Sequence, residues 1–168
     1  MLLRIAVIFV ITIISFQNSL AQSSGERNRV SVNVTAQIIS RVEVITLQNI
    51  LFKESSFDKN IIDVSPIKDT NAGFLKASGK AGAQVRIMYP IEKIVNRSAG
   101  NGSLQINYSV AVNGTNDQST ANLVLKKGNI YNLNENGELF LWVGGRVDIS
   151  NAVPGTYIGN FKIEIEYI

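Results

Sequence analysis

From residue 30 onwards, apolar and polar residues take turns with a period of two. Val30, Val32, Val34 and Ala36 alternate with Ser31, Asn33 and Thr35, and Val42 and Val44 flank Glu43. Val85, Ile87 and Tyr89 flank Arg86 and Met88, and Leu104, Ile106, Tyr108, Val110 and Val112 form one long row. The final run is the clearest: Phe161, Ile163, Ile165 and Tyr167 alternate with Lys162, Glu164 and Glu166. Successive side chains of a strand point to opposite faces, so this spacing predicts half-buried β-strands. Turn signals separate the runs: Ser78-Gly79, Asn101-Gly102, Asn113-Gly114, Gly128-Asn129, Asn136-Gly137 and Pro154-Gly155. Such pairs supply the backbone angles that tight turns need. No window of helical length carries a 3.6-residue stripe in this part of the chain. The pattern predicts an all-β fold, an immunoglobulin-like β-sandwich of about seven to nine mostly antiparallel strands, as one domain over residues 29–168.

One segment departs from the alternation. Leu139-Phe140-Leu141-Trp142-Val143 is apolar on both faces, with Phe140 and Trp142 pointing the same way. Two readings stand: an aromatic contact patch for a sugar or a partner subunit, or core covered on both sides. Large aromatics are mostly core residues.

Before residue 30 the pattern is of another kind. Arg4 precedes an apolar run that starts at Ile5 and continues to Phe16, and Gln17-Asn18-Ser19-Leu20-Ala21 then turns small and polar. Ser19 and Ala21 occupy the −3 and −1 positions of a small-x-small cleavage site before Gln22. That order predicts a secretory signal peptide over residues 1–21, cut between Ala21 and Gln22, followed by a short polar stretch over residues 22–28. The apolar core is shorter than the roughly 20 residues that span a bilayer. The chain has no Cys, which excludes a lipoprotein anchor. No later segment is apolar enough to span a membrane, so the expected product is exported: periplasmic, cell-surface or secreted.

Composition narrows the chemistry. Lys and Arg total 16 against 13 Asp and Glu, and losing Arg4 with the leader lowers the small excess further. The basic residues are scattered, with Lys126-Lys127 the only adjacent pair, so the electrostatic footprint of a nucleic-acid binder is missing. The sequence has no His and no Cys. That removes Ser-His-Asp triads, thiol nucleophiles, the usual zinc sites and the commonest general base. A carboxylate pair could still cleave a glycoside, but acids such as Glu164 and Glu166 fall on the solvated face of a strand. Ser78-Gly79-Lys80-Ala81-Gly82 lacks the Ser or Thr of a phosphate loop and reads as a hairpin turn. Gly144-Gly145 reads as a bulge or sharp bend. Asn134, Glu135, Asn136 and Glu138 match no calcium loop and are better explained by an Asn-Gly hairpin. No catalytic residue, metal site or cofactor is expected.

Several segments together resemble a bacterial family of exported proteins, the domain of unknown function (DUF) 4402 family. They are Val32-Asn33-Val34-Thr35-Ala36, residues 47–52, Gly73-Phe74, Ala77-Ser78-Gly79 and Val85-Arg86-Ile87-Met88-Tyr89-Pro90. The resemblance is strongest in Val143-Gly144-Gly145-Arg146-Val147, Pro154-Gly155-Thr156-Tyr157-Ile158-Gly159-Asn160-Phe161 and the closing Glu166-Tyr167. It implies an exported bacterial β-sandwich and lends no catalytic residues.

The last strand also resembles that of pilus subunits assembled through a chaperone and usher, which carry a penultimate Tyr and a Gly fourteenth from the end. Here Tyr167 is penultimate and Gly155 fourteenth from the end. The resemblance implies an assembly strand made of Gly155, Tyr157, Phe161, Ile163, Ile165 and Tyr167, bordering a groove that another chain's extended segment fills. The usual disulfide of such subunits is missing, and residues 22–28 are too short and polar to be a donor. Residues 30–36 would therefore have to serve as the donated strand, or else complete their own domain.

The expected function is that of an exported, non-catalytic protein acting by surface contacts, as a fimbrial or cell-surface structural or adhesion subunit. Its partners would be itself or other surface subunits. The alternative is a monomeric secreted or periplasmic module binding a ligand such as a glycan through Phe140 and Trp142. Expressed with its leader in a bacterium, the exported protein should have the intact mass of residues 22–168. Ala21→Leu, which puts a bulky side chain at the cleavage position, should leave the leader attached in the same mass measurement.

Overall fold

The computed structural model describes residues 29–38, 42–53, 60–125 and 128–168. The leader, the cleavage pair Ala21 and Gln22, and the polar stretch 22–28 lie outside the described residues. Twelve strands are present among those described. They are β1 (Arg29–Ile38), β2 (Glu43–Gln48), β3 (Ile50–Lys53), β4 (Ile61–Val64), β5 (Gly73–Ser78) and β6 (Gln84–Met88), then β7 (Glu92–Arg97), β8 (Ser103–Asn113), β9 (Asn122–Leu123), β10 (Ile130–Asn132), β11 (Glu138–Asp148) and β12 (Thr156–Tyr167). The helical content among them is one 3-10 turn, Gln118–Thr120, where the Asp117 carboxylate accepts the Ser119 amide at 3.0 Å.

The strands form an all-β, sandwich-like fold whose sheet nearly closes on itself. The hydrogen-bonded path runs β12-β7-β8-β11-β5-β2, and β1 lies on the other edge of β12. All pairings are antiparallel except that of β1 with β12, which is parallel. Twelve strands replace the expected seven to nine because the long ones take short partners in succession. One edge of β12 is shared by β7 and β6, one edge of β11 by β5 and β4, and one edge of β8 by β7 and β9. Two of these partners, β4 and β9, have two to four residues, as do β3 and β10, too few for a period to be read.

The ring is interrupted between β1 and β2, where no ladder forms among the described residues. Side chains take its place. The Val34 amide donates to Asn49 Oδ1 at 3.3 Å, and Thr46 Oγ1 donates to the Val34 carbonyl at 3.1 Å. Buried backbone groups need partners, and these two residues supply them just past the point where β3 leaves β1 at Val32.

The alternation read from the sequence places the core. Val30, Val32, Phe52, Leu75, Val85, Ile87, Ile106, Val110, Leu141, Tyr157, Phe161 and Ile163 are fully or almost fully buried in one cluster. The charged residues between them face outward, and some pair there: Lys162 with Glu164 at 2.8 Å, Arg86 with Glu166 at 3.1 Å and Lys76 with Glu138 at 3.1 Å. Exposed pairs of this kind add little stability; their main effect is to keep the outer face wet.

Two turn assignments change. Ser78-Gly79-Lys80-Ala81-Gly82 is not a hairpin, since β5 pairs with β11 and β2 while β6 pairs with β12 and β10. It is a crossover, held because the Gly79 amide donates to the Gly137 carbonyl at 2.8 Å and the Gly82 amide to the Leu133 carbonyl at 3.2 Å. Gly144-Gly145 is not a bulge either, because β11 runs through it in unbroken register with β8. The glycines are needed for close approach: a Cβ at Gly144 would collide with the Val64 carbonyl and crowd Pro66. The Asn136-Gly137 turn does form, with Asn134 Oδ1 accepting the Asn136 and Glu138 amides at 2.9 and 2.8 Å.

Phe161 sits at the centre of this arrangement, 4.6 Å from the Tyr108 ring and 6.1 Å from that of Tyr89. Phe161→Ala should cost about 3–5 kcal/mol of unfolding free energy in urea titration. Lys162→Ala, the next residue but on the wet face, should change it by less than about 0.5 kcal/mol.

Candidate functional site

The final strand has partners on both edges. One edge of β12 carries β1 over ten consecutive positions, from Arg29 opposite Thr156 to Ile38 opposite Ile165. The other edge carries β7 at Tyr157 and Ile158 and β6 from Glu164 to Tyr167. The place beside β12 that a donated strand would take is therefore occupied by the chain's own residues 30–36.

The expected assembly residues all lie along this strand, and each has an intrachain role. Phe161, Ile163 and Ile165 fill the core. Tyr157 is fully buried, and its hydroxyl donates to the Val153 carbonyl at 2.8 Å, closing the turn before the strand. The Tyr167 hydroxyl accepts the Lys80 amide at 2.8 Å, which ties the end of β12 to the crossover between β5 and β6. Gly155 stands at φ 151°, and a Cβ there would collide with the Arg97 side chain.

Phe140 and Trp142 are 8% and 4% exposed, so they present no open platform for a sugar. This is a correction to the contact-patch reading and agrees with the core reading. Their rings continue into that of Phe74 on β5, which stacks on Trp142 at 5.1 Å and 10° and lies 6.3 Å from Phe140. The half-buried Phe74 is the outermost member of the row. Nearby, Gln118 Nε2 donates to the carbonyls of Pro66 and Asp69 at 3.2 and 2.9 Å, holding two loops together over this side of the sandwich. A shallow depression of about 320 Å³, lined by Asp63, Ser65, Lys68, Asp69 and Thr70, adjoins those loops.

Two polar groups escaped sequence reasoning. Arg97 Nε and the Tyr108 hydroxyl are buried without a hydrogen-bond partner among the described residues. Alternation could place Tyr108 inside, but its missing partner depends on neighbours from other strands. Arg97 closes β7 and gives no signal in the sequence, because glycines distant in the chain shape its surroundings.

Fold and pairing together define an all-β, sandwich-like domain whose last strand is covered along one edge by its own β1. The chain matches the family described as Domain of unknown function (DUF4402) over residues 64–167. That stretch is more than half of the chain, and the protein belongs to this family. The match starts at the last residue of β4, so β1, β2 and β3 lie outside it. The earlier resembling segments, 32–36 and 47–52, therefore fall beyond the matched part. No curated relative matches the chain.

Burial pushes the Tyr108 phenol well above its ordinary range, and burial raises that of Tyr89 as well. A phenol with a raised folded-state pKa contributes stability that is intact below its unfolded value of about 10 and is lost as pH climbs towards the folded value. Stability should thus fall above about pH 10. Tyr108→Phe removes a hydroxyl that has no partner, so it should leave stability at pH 7 within about 1 kcal/mol and flatten the alkaline decline. Urea titrations at pH 7 and pH 10.5 measure both effects.

Proposed function

We propose that this protein is an exported, non-catalytic structural subunit of the bacterial surface that joins to further copies by strand addition along β12. The reading rests on the likeness of the last strand to that of pilus subunits, with Gly155 and Tyr167 at the matching positions, and it requires the β1 that covers β12 within this chain to pair instead with the β12 of a second copy. The matched stretch, residues 64–167, includes β12 but not the strand that covers its second edge. In this chain the cover comes from β1. Main-chain hydrogen bonds along a sheet edge can be made by any extended segment of suitable pattern. The alternating residues 30–36 of a second copy carry the same pattern as the chain's own. The leader pattern supports export, and the lack of His and Cys supports a role without catalysis. Burial of Phe140 and Trp142 weighs against a sugar platform at that place.

The Cys-free sequence allows a direct test. Asn33 and Asn160 are opposite each other across β1 and β12, and both are exposed. Neighbouring strands bring Cα atoms within disulfide range. Chains carrying Asn33→Cys with a tag are refolded together with untagged chains carrying Asn160→Cys, then oxidised. Strand addition between copies yields a covalent tagged–untagged pair on non-reducing gels. Oxidised mixtures that stay free of this pair, while the double variant closes fully within one chain, would overturn the proposal.

A further inference from the structure

Three Asn-Gly steps occur in the chain, at Asn101-Gly102, Asn113-Gly114 and Asn136-Gly137. Each has the same intrinsic chemistry. The backbone nitrogen of the glycine can attack the side-chain carbonyl carbon of the preceding asparagine and close a five-membered ring. The attack is intramolecular, so its rate depends on whether the two groups are free to meet. Glycine has no Cβ to shield the attacking nitrogen. What distinguishes the three steps is their folded surroundings.

At Asn113, the last residue of β8, the side-chain amide is held at both ends. Its Nδ2 donates to the Asp117 carbonyl at 2.8 Å and to Thr120 Oγ1 at 2.9 Å, and its Oδ1 accepts the Thr115 amide at 3.2 Å. Turning the amide onto the Gly114 nitrogen would break these bonds. At Asn136 the restraint falls on the nucleophile instead. Gly137 is buried, its nitrogen donates to the Asn134 carbonyl at 2.9 Å, and the chain packs so closely there that a Cβ would collide with the Gly79 carbonyl. Asn101 has neither restraint. It is exposed in the turn between β7 and β8, and among the described residues neither its side chain nor the Gly102 amide makes a hydrogen bond. The turn is held by other atoms: the Gly102 carbonyl accepts the Arg97 amide at 2.9 Å.

We propose that Asn101 is a self-modification site, converted without an enzyme to aspartate and isoaspartate in the folded protein, while Asn113 and Asn136 are protected. The Gly102 nitrogen gives its proton to solvent and bonds to Asn101 Cγ. The Cγ–Nδ2 bond breaks, and Nδ2 takes up a proton and leaves as ammonia. Water then opens the cyclic imide. Attack at Cγ gives aspartate, and attack at the main-chain carbonyl carbon gives isoaspartate, whose backbone runs through Cβ and Cγ. Nothing is oxidised or reduced. Either product adds one negative charge, and isoaspartate also lengthens the turn by one methylene. That turn joins β8 to β7, whose last residues pair with the start of β12. One end of the sandwich thus changes charge and shape with age. The reaction uses a single copy and is independent of strand addition.

The mature protein is incubated in oxygen-18 water at pH 8 and 37 °C, folded or unfolded in guanidinium chloride. Peptide mass spectrometry with electron-transfer fragmentation follows the three asparagines separately and tells aspartate from isoaspartate. A hydrogen bond that must break first slows the reaction by up to about tenfold. In the folded protein Asn101 should therefore convert about tenfold or more faster than Asn113 and Asn136, with one heavy oxygen in each product. In the unfolded chain the three rates should draw level. Asn101→Gln, which keeps the amide but disfavours the five-membered ring, should abolish the first acidic species seen by ion exchange of the folded protein. The site is overturned if Asn101 converts no faster than the other two in the folded protein, or if its lead persists unchanged in guanidinium chloride.

Discussion

The parallel pairing of β1 with β12 is the interaction on which the remaining structure depends. β12 contributes Tyr157, Phe161, Ile163 and Ile165 to the core, and β1 contributes Val30, Val32 and Val34 beside them. Without β1, one whole edge of the most central strand would carry unpaired amides and carbonyls, and a side of the core would be open to water. Burying apolar surface is the dominant favourable term in folding, and it is available here only if the backbone along that edge is satisfied as well.

The remaining edges follow the same logic by different means. Long strands share an edge between two short partners, so more of each long edge is paired than either short strand could cover alone. At the break between β1 and β2, Asn49 and Thr46 substitute side-chain atoms for a ladder. Tyr167 and Tyr157 tie the two ends of β12 to adjacent turns through their hydroxyls. Each device is local, and together they make a nearly closed sheet from pieces of unequal length.

Much of this was legible in the sequence where the strands are long. The alternation in residues 30–36, 104–112 and 161–167 marks β1, β8 and β12 and their buried faces, because a period of two needs several residues to show. The doubly apolar run at 139–143 left two readings open, a contact patch or a strand covered on both sides, and its residues are buried on both faces. The short strands β3, β4, β9 and β10 left no such trace. Pairing partners were not legible either: Ser78-Gly79 has hairpin chemistry, yet the chain crosses between layers there, because β6 finds its hydrogen bonds on β12. Alternation showed that residues 30–36 form a strand without showing that it runs parallel to β12. Phe74 and Arg97 acquire their significance from neighbours far away in the chain, Trp142 for one and Gly155 for the other.

The β1–β12 pairing also sets the order in which the molecule can be finished. Its partners are separated by nearly the whole length of the folded part, and joining them closes the largest loop in the topology. Loop-closure entropy is met before the contacts that reward it, so sheets built on distant pairings form slowly. Strands β7, β8 and β11 can begin to associate as they emerge, but the core stays open along one side until β12 has been made. During synthesis it is β1, made first, that waits for its long partner until the last strand emerges.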